Sequence, residues 1–110
     1  MNYSKGDVVL FPYPFSDFTS NKVRPAVVVS EQGKRYNDVF IVPLTSRISN
    51  IKKGEFVISN WKKAGLNIVT AVKRGCYLAD TDIIKKKVGK LEQCDIESVE
   101  LALKIWLDLK

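Results

Sequence analysis

The sequence predicts a single mainly β domain, a small barrel or sandwich finished by one C-terminal α-helix. Three observations carry this expectation. With 110 residues and 45% hydrophobic content, the chain suits one compact domain over residues 1–110 with one core. Short runs of β-branched and aromatic residues recur through its first three quarters, separated by segments with turn chemistry. After KKKVGKL the apolar residues change to steps of three and four.

The strands are expected in order at GDVVLFPYPF (6–15), PAVVVS (25–30), DVFIVPLTS (38–46), GEFVIS (54–59) and LNIVTAVKRGCYL (66–78). Between them SDFTSNK, EQGKRYN, RISNIKK and NWKKAG supply loops. Pro12, Pro14, Pro25 and Pro43 lack a ladder donor and are expected at strand ends, edges or bulges. Lys85, Lys86 and Lys87 read as a solvated edge, with an additional RNA patch as the alternative. From Asp95 onward, Ile96, Val99, Leu103 and Trp106 form one face of an amphipathic helix. Asp95 is the expected N-cap, and Glu97 adds negative charge to the first turn. Trp61 and Trp106 are expected to pack.

Composition narrows the chemistry. The chain has no histidine, so Ser-His-Asp and Cys-His systems and the common histidine metal sites are excluded. Cys76 and Cys94 belong to no CxxC or Cys/His cluster, which points to neither a disulfide framework nor zinc. No apolar run approaches the roughly 20 residues that span a bilayer, and the start MNYSKGDVV has no secretory apolar region. A cytoplasmic protein without a membrane partner is expected. The net charge of +6 is uneven: residues 1–90 hold 16 Lys and Arg against 7 Asp and Glu, whereas residues 91–110 hold 2 against 5. A basic body of this kind favours a polyanion or an acidic protein as partner, although scattered lysines also serve simply as a solvated surface.

KGDVVLFPYPFSDFTSNKVRPAVVVS resembles the opening of the PemK/MazF family of toxin endoribonucleases, with its GD-V-V strand, loop and R-P pair. IVPLTS is similar to the family's second signature, a strand ending in Thr-Ser, and WKKAGLNIVTAVKRGCYLADTDIIKKKVGKL to its third region. The motifs cover nearly the whole chain in order. The resemblance implies an SH3-like (PemK/CcdB-type) β-barrel with a C-terminal α-helix. It also implies a homodimer, cleavage of single-stranded RNA without metal or other cofactor, and an acidic antitoxin protein as partner.

RNA is cleaved when its 2′-hydroxyl attacks the adjacent phosphorus, which requires a proton acceptor, donors for the charged phosphorane and an acid for the departing 5′-oxygen. Arg24 offers a planar bidentate donor, and Pro25 pins the chain beside it. An arginine paired with a carboxylate at a strand end is the alternative. Thr45 and Ser46 end an apolar strand, where hydroxyls either donate to phosphate or satisfy turn backbone. The resemblance puts Thr45 beside Arg24 in the site and Ser46 next to it. In the third region the family's acidic position holds Thr70, which cannot act as a carboxylate, and the segment ends at Lys73. Asp17 in the first loop is the leading candidate for the base, with an Asx-turn as its alternative.

Lys22, Arg47, Lys52 and Lys53 fall in loops flanking Arg24 and Thr45, and with Lys73 they are candidates for phosphate binding. Phe15, Phe18 and Tyr36 are aromatics able to stack on unpaired bases, core burial being the alternative. Two other readings share the fold: a non-catalytic barrel that binds nucleic acid or protein, and a CcdB-like toxin that poisons a protein target such as a topoisomerase. The pairing of Arg24 with Thr45 favours the nuclease over the protein poison, which has no need of a phosphate clamp.

Overall fold

A computed structural model describes residues 2–12 and 23–110. Among the described residues there are seven strands: β1 Asp7–Pro12, β2 Val23–Val28, β3 Asp38–Thr45, β4 Phe56–Val57, β5 Ala71–Val72, β6 Tyr77–Asp80 and β7 Lys86–Lys90. A short 3-10 turn, Thr81–Ile83, follows β6, and helix α1, Gln93–Trp106, ends the chain. The expected mainly β domain with a C-terminal helix is therefore present. No helix among the described residues is long and apolar enough to cross a membrane.

All pairings are antiparallel, in the order β4-β5-β3-β2-β1-β7, with β6 also on β3. The runs of consecutive valines are explained by burial on both faces of the central strands. Val8, Val27, Val42 and Leu44 pack on one side with Ile58, Leu91 and the helix residues Ile96 and Val99. Val9, Phe11, Ala26, Val28, Val39 and Ile41 pack on the other with Tyr3, Ala79 and Ile84. Trp61 and Trp106 are half-buried against the first cluster, as expected.

Among the described residues no ladder joins β4 to β7, so hydrogen bonds do not close the sheet into a barrel. Instead, the connection between β4 and β5 packs its backbone against β7. A Cβ on Gly65 would overlap the Val88 carbonyl, and one on Gly89 would overlap the Ala64 carbonyl. The crossing sits at a bulge: Val8 pairs with Gly89 but Val9 with Lys87, leaving Val88 as the extra residue.

Several expected boundaries shift. β7 has a lysine-rich sequence that reads as a solvated edge, with an RNA patch as the alternative, yet one side of it pairs with β1. The run 66–78 splits into β5 and β6, which pair with different stretches of β3. The 54–59 run yields just the two-residue β4. β2 starts two residues earlier than the expected 25–30, so Arg24 lies inside the strand, not before it.

Pro25 and Pro43 fit gaps in the ladders, and Pro14 lies outside the described residues. Peptide groups of successive strand residues point to alternate edges, and the Val29 N–H donates to the Phe40 carbonyl on β3. Pro25, four residues earlier, therefore lacks its N–H on the β3 side, where the β2–β3 ladder has already stopped at Ala26–Pro43. Pro43 is a correction to the edge expectation, since it lies within central β3. Its carbonyl accepts from Lys73 N–H at 2.9 Å, and its missing N–H falls where the neighbour of β3 changes from β6 to β5.

The helix start also differs from expectation. Glu92 is the N-cap and makes no side-chain capping bond, while Asp95 lies in the first turn and is buried. Its carboxylate accepts the backbone N–H groups of Ser59 at 3.1 Å and Asn60 at 3.3 Å, fastening the segment after β4 to the helix. Long-range donors have claimed a side chain that local sequence assigns to capping. Asp95→Ala is expected to lower unfolding free energy by about 2–3 kcal/mol, and Asp95→Asn by less, in urea titrations.

Candidate active site

The site grows from the ends of β2 and β3. Their register pairs Ala26 with Pro43. The ladder stops there, and Arg24 and Thr45 follow two residues further out on their strands. Both line a groove of about 280 Å³ together with Ser46, Asn67 and Thr70, over an apolar floor that includes Leu10, Pro25 and Leu44. Arg24 is exposed and Thr45 half-buried. Neighbouring strands thus bring together residues 21 positions apart in the chain.

The Thr45 hydroxyl oxygen accepts the Arg47 N–H at 3.1 Å. This is the turn bond expected of a threonine at a strand exit, and it leaves the hydroxyl proton to donate elsewhere. Thr70 is buried, and its hydroxyl donates to the Ile68 carbonyl at 2.8 Å. It shapes the groove wall and carries no carboxylate.

A second, wider groove of about 570 Å³ shares Thr45 as its edge. Arg47, Lys52, Lys73 and Arg74 line it, with Ser49, Asn50 and Glu55. Three sequence candidates, Arg47, Lys52 and Lys73, therefore meet in one basic channel running from Thr45. Lys53 is exposed but does not line either groove; its carbonyl accepts the Trp106 Nε1–H at 3.1 Å. Tyr36 is exposed at the opposite end of β3 from Thr45. Phe15, Asp17, Phe18 and Lys22 lie outside the described residues.

Sequence reasoning missed Arg74 and Glu55. Arg74 directly follows Lys73 in the sequence and reads there as one more solvated cation. Glu55 reads as part of a strand, yet its carboxylate accepts two backbone N–H groups, from Arg74 at 2.8 Å and from Lys52 at 2.9 Å. Burial works to raise its pKa. The two backbone bonds, with the charges of Lys52 and Lys73, outweigh burial and hold the carboxyl below its ordinary range. The signal available in the sequence was KKGE, a turn glycine followed by an acid in a basic segment.

Among the described residues no group of three or more His, Cys, Asp or Glu side chains is placed to hold a metal ion. Cys76 and Cys94 are unpaired.

The model of a family described as PemK-like, MazF-like toxin of type II toxin-antitoxin system matches residues 4–107. The chain is also similar to solved structures. With MazE-MazF from Deinococcus radiodurans the TM-score is 0.77 at 18% identity, covering 100% of this chain and 99% of that one. With an endoribonuclease in complex with its cognate antitoxin, from a mycobacterial species, the TM-score is 0.74 at 18% identity, covering 98% and 97%. With the Mycobacterium tuberculosis toxin MazF-mt6 it is 0.73 at 15% identity, covering 94% and 98%. At such identities the likeness carries the fold. No curated protein matches the sequence.

Proposed function

Because the chain belongs to the family of PemK-like, MazF-like toxins of type II toxin-antitoxin systems, we propose that it is an endoribonuclease that cleaves single-stranded RNA without a metal ion. The observation that carries this reading is the meeting of Arg24 and Thr45 at the mouth of a basic channel. A guanidinium opposite a hydroxyl suits a phosphorane, whose equatorial oxygens take two N–H donors from the arginine and one O–H from the threonine. The bond from Arg47 N–H occupies a lone pair of the Thr45 oxygen and leaves the hydroxyl proton to donate to an acceptor in the groove. Ser46 adds a second hydroxyl.

In the reaction the 2′-oxygen forms a bond to phosphorus, and its proton passes to a base. The bond from phosphorus to the 5′-oxygen breaks, and that oxygen takes a proton from an acid. The products are a 2′,3′-cyclic phosphate and a 5′-hydroxyl. The Thr70 hydroxyl already donates to Ile68 and does not serve as the base; Asp17 is assigned that role. Arg47, Lys52 and Lys73 hold the strand's phosphates along the channel, Lys22 and the exposed Lys53 add positive charge for phosphates outside it, and Phe15 and Phe18 stack on unpaired bases. The active form is a homodimer whose two channels continue one another. Its antitoxin is an acidic protein that competes for the same cations, in keeping with neighbours that are solved as toxin and antitoxin together.

The test is incubation with a long RNA in EDTA, followed by chemical mapping of the new ends. Cyclic phosphate and 5′-hydroxyl ends are expected. A requirement for magnesium, or 5′-phosphate ends, would contradict the reaction.

A further inference from the structure

The segment between β3 and β4, residues 46–55, contains no strand or helix, yet it carries Arg47 and Lys52, two cations of the basic channel. The opposite wall, Lys73 and Arg74, belongs to the connection between β5 and β6. Glu55 joins the two walls. Its N–H donates to the Lys52 carbonyl at 2.9 Å, and one carboxylate oxygen accepts the Lys52 N–H, which closes a tight turn. The other oxygen accepts the Arg74 N–H at 2.8 Å, across a separation of 19 residues.

On charge alone this carboxylate opposes a polyanion in the channel it lines. We propose that Glu55 is a positioning residue for RNA: its carboxylate fastens the loop bearing Arg47 and Lys52 to the wall bearing Lys73 and Arg74, so that four cations meet one phosphate backbone at fixed spacing. The inference rests on the reading that this channel takes RNA. Glu55 is held ionised by the same two N–H groups that it fastens. The effect also reaches the chemistry, because the Arg47 N–H that orients the Thr45 hydroxyl sits on the tethered loop.

Glutamine has the right shape but a single acceptor oxygen, so its amide group would confront one of the two N–H donors. Aspartate keeps the charge but is one methylene shorter and does not span both. Glu55→Gln and Glu55→Asp are therefore compared with wild type in binding a short single-stranded 2′-deoxy oligonucleotide, which lacks the attacking hydroxyl. Both variants are expected to bind about fivefold to tenfold more weakly at fixed salt, with the slope of log affinity against log salt reduced by about one. A merely structural role would shift the thermal midpoint and leave that slope unchanged, and a purely Coulombic role would make Glu55→Gln bind more tightly. Cleavage of the matching RNA is assayed in parallel, so that wild-type binding without cleavage sinks the nuclease reading alone. Wild-type-like affinity and salt slope in the folded variants, or no oligonucleotide binding by the wild type, would overturn the inference.

Discussion

Replacing Arg24 with alanine is expected to lower RNA cleavage about a thousandfold or more while leaving the fold intact. One preorganised donor to a developing oxyanion is typically worth about a hundredfold to a thousandfold, and arginines that stabilise phosphoryl transition states reach higher. The fold should survive because Arg24 is exposed and β2 is anchored further along by buried Ala26, Val27 and Val28. Arg24→Lys should recover only part of the loss, since an ammonium lacks the two-pronged fork. Thr45→Ala should cost less, about tenfold to a hundredfold, and Thr45→Ser least, because serine keeps the hydroxyl that receives the Arg47 N–H. Single-turnover cleavage with circular dichroism on the same samples checks the series. Wild-type-like cleavage by Arg24→Ala would remove the arginine from the mechanism.

The second large effect is expected on stability. Gly65 has φ +90° and sits where an added Cβ would overlap the Val88 carbonyl, so Gly65→Ala combines backbone strain with a clash against main chain that has little room to retreat. Together these should cost about 4 kcal/mol. Gly89→Ala meets the reciprocal obstacle at the Ala64 carbonyl without a φ between +20° and +160°, and should cost about 3 kcal/mol. Either loss is a large share of the roughly 5–15 kcal/mol that holds a domain of this size together. Gly65 and Val88 also line the groove of Arg24 and Thr45, so the variants should lose cleavage even at temperatures where they stay folded. Urea unfolding midpoints test the first expectation, and cleavage well below the midpoint tests the second. An unaltered midpoint for Gly65→Ala would mean that the close backbone crossing between the β4–β5 connection and β7 does not contribute to stability.

Arg24, Thr45 and Ser46 stand out in the sequence through the resemblance to the PemK/MazF family, because by type alone an arginine at a strand end and hydroxyls at a strand exit read equally well as an ion-pair partner and as turn groups. Glu55 was not legible in this way, because its two partners are backbone N–H groups and backbone leaves no trace in a list of residue types. The same holds for Asp95, which reads as a cap but takes its donors from Ser59 and Asn60, 36 and 35 positions away. β7 was hidden for a related reason: its exposed lysines describe the solvent edge, while its pairing with β1 depends on what the rest of the sheet leaves unpaired.

The sequence by itself determined the mainly β class, the apolar face of the helix, the absence of histidine chemistry and the basic character of the chain. These are properties of residue type and periodicity, which act over a few neighbours. Tertiary structure alone decided that Arg24 and Thr45 line one groove, that the channel takes Arg47 and Lys52 from one segment and Lys73 and Arg74 from another, and that the connection between β4 and β5 meets β7 through two glycines. Each depends on strand register or on close approach of distant backbone. Those are settled by the packing of the whole chain, since a shift of one residue would send each strand's side chains to the opposite face.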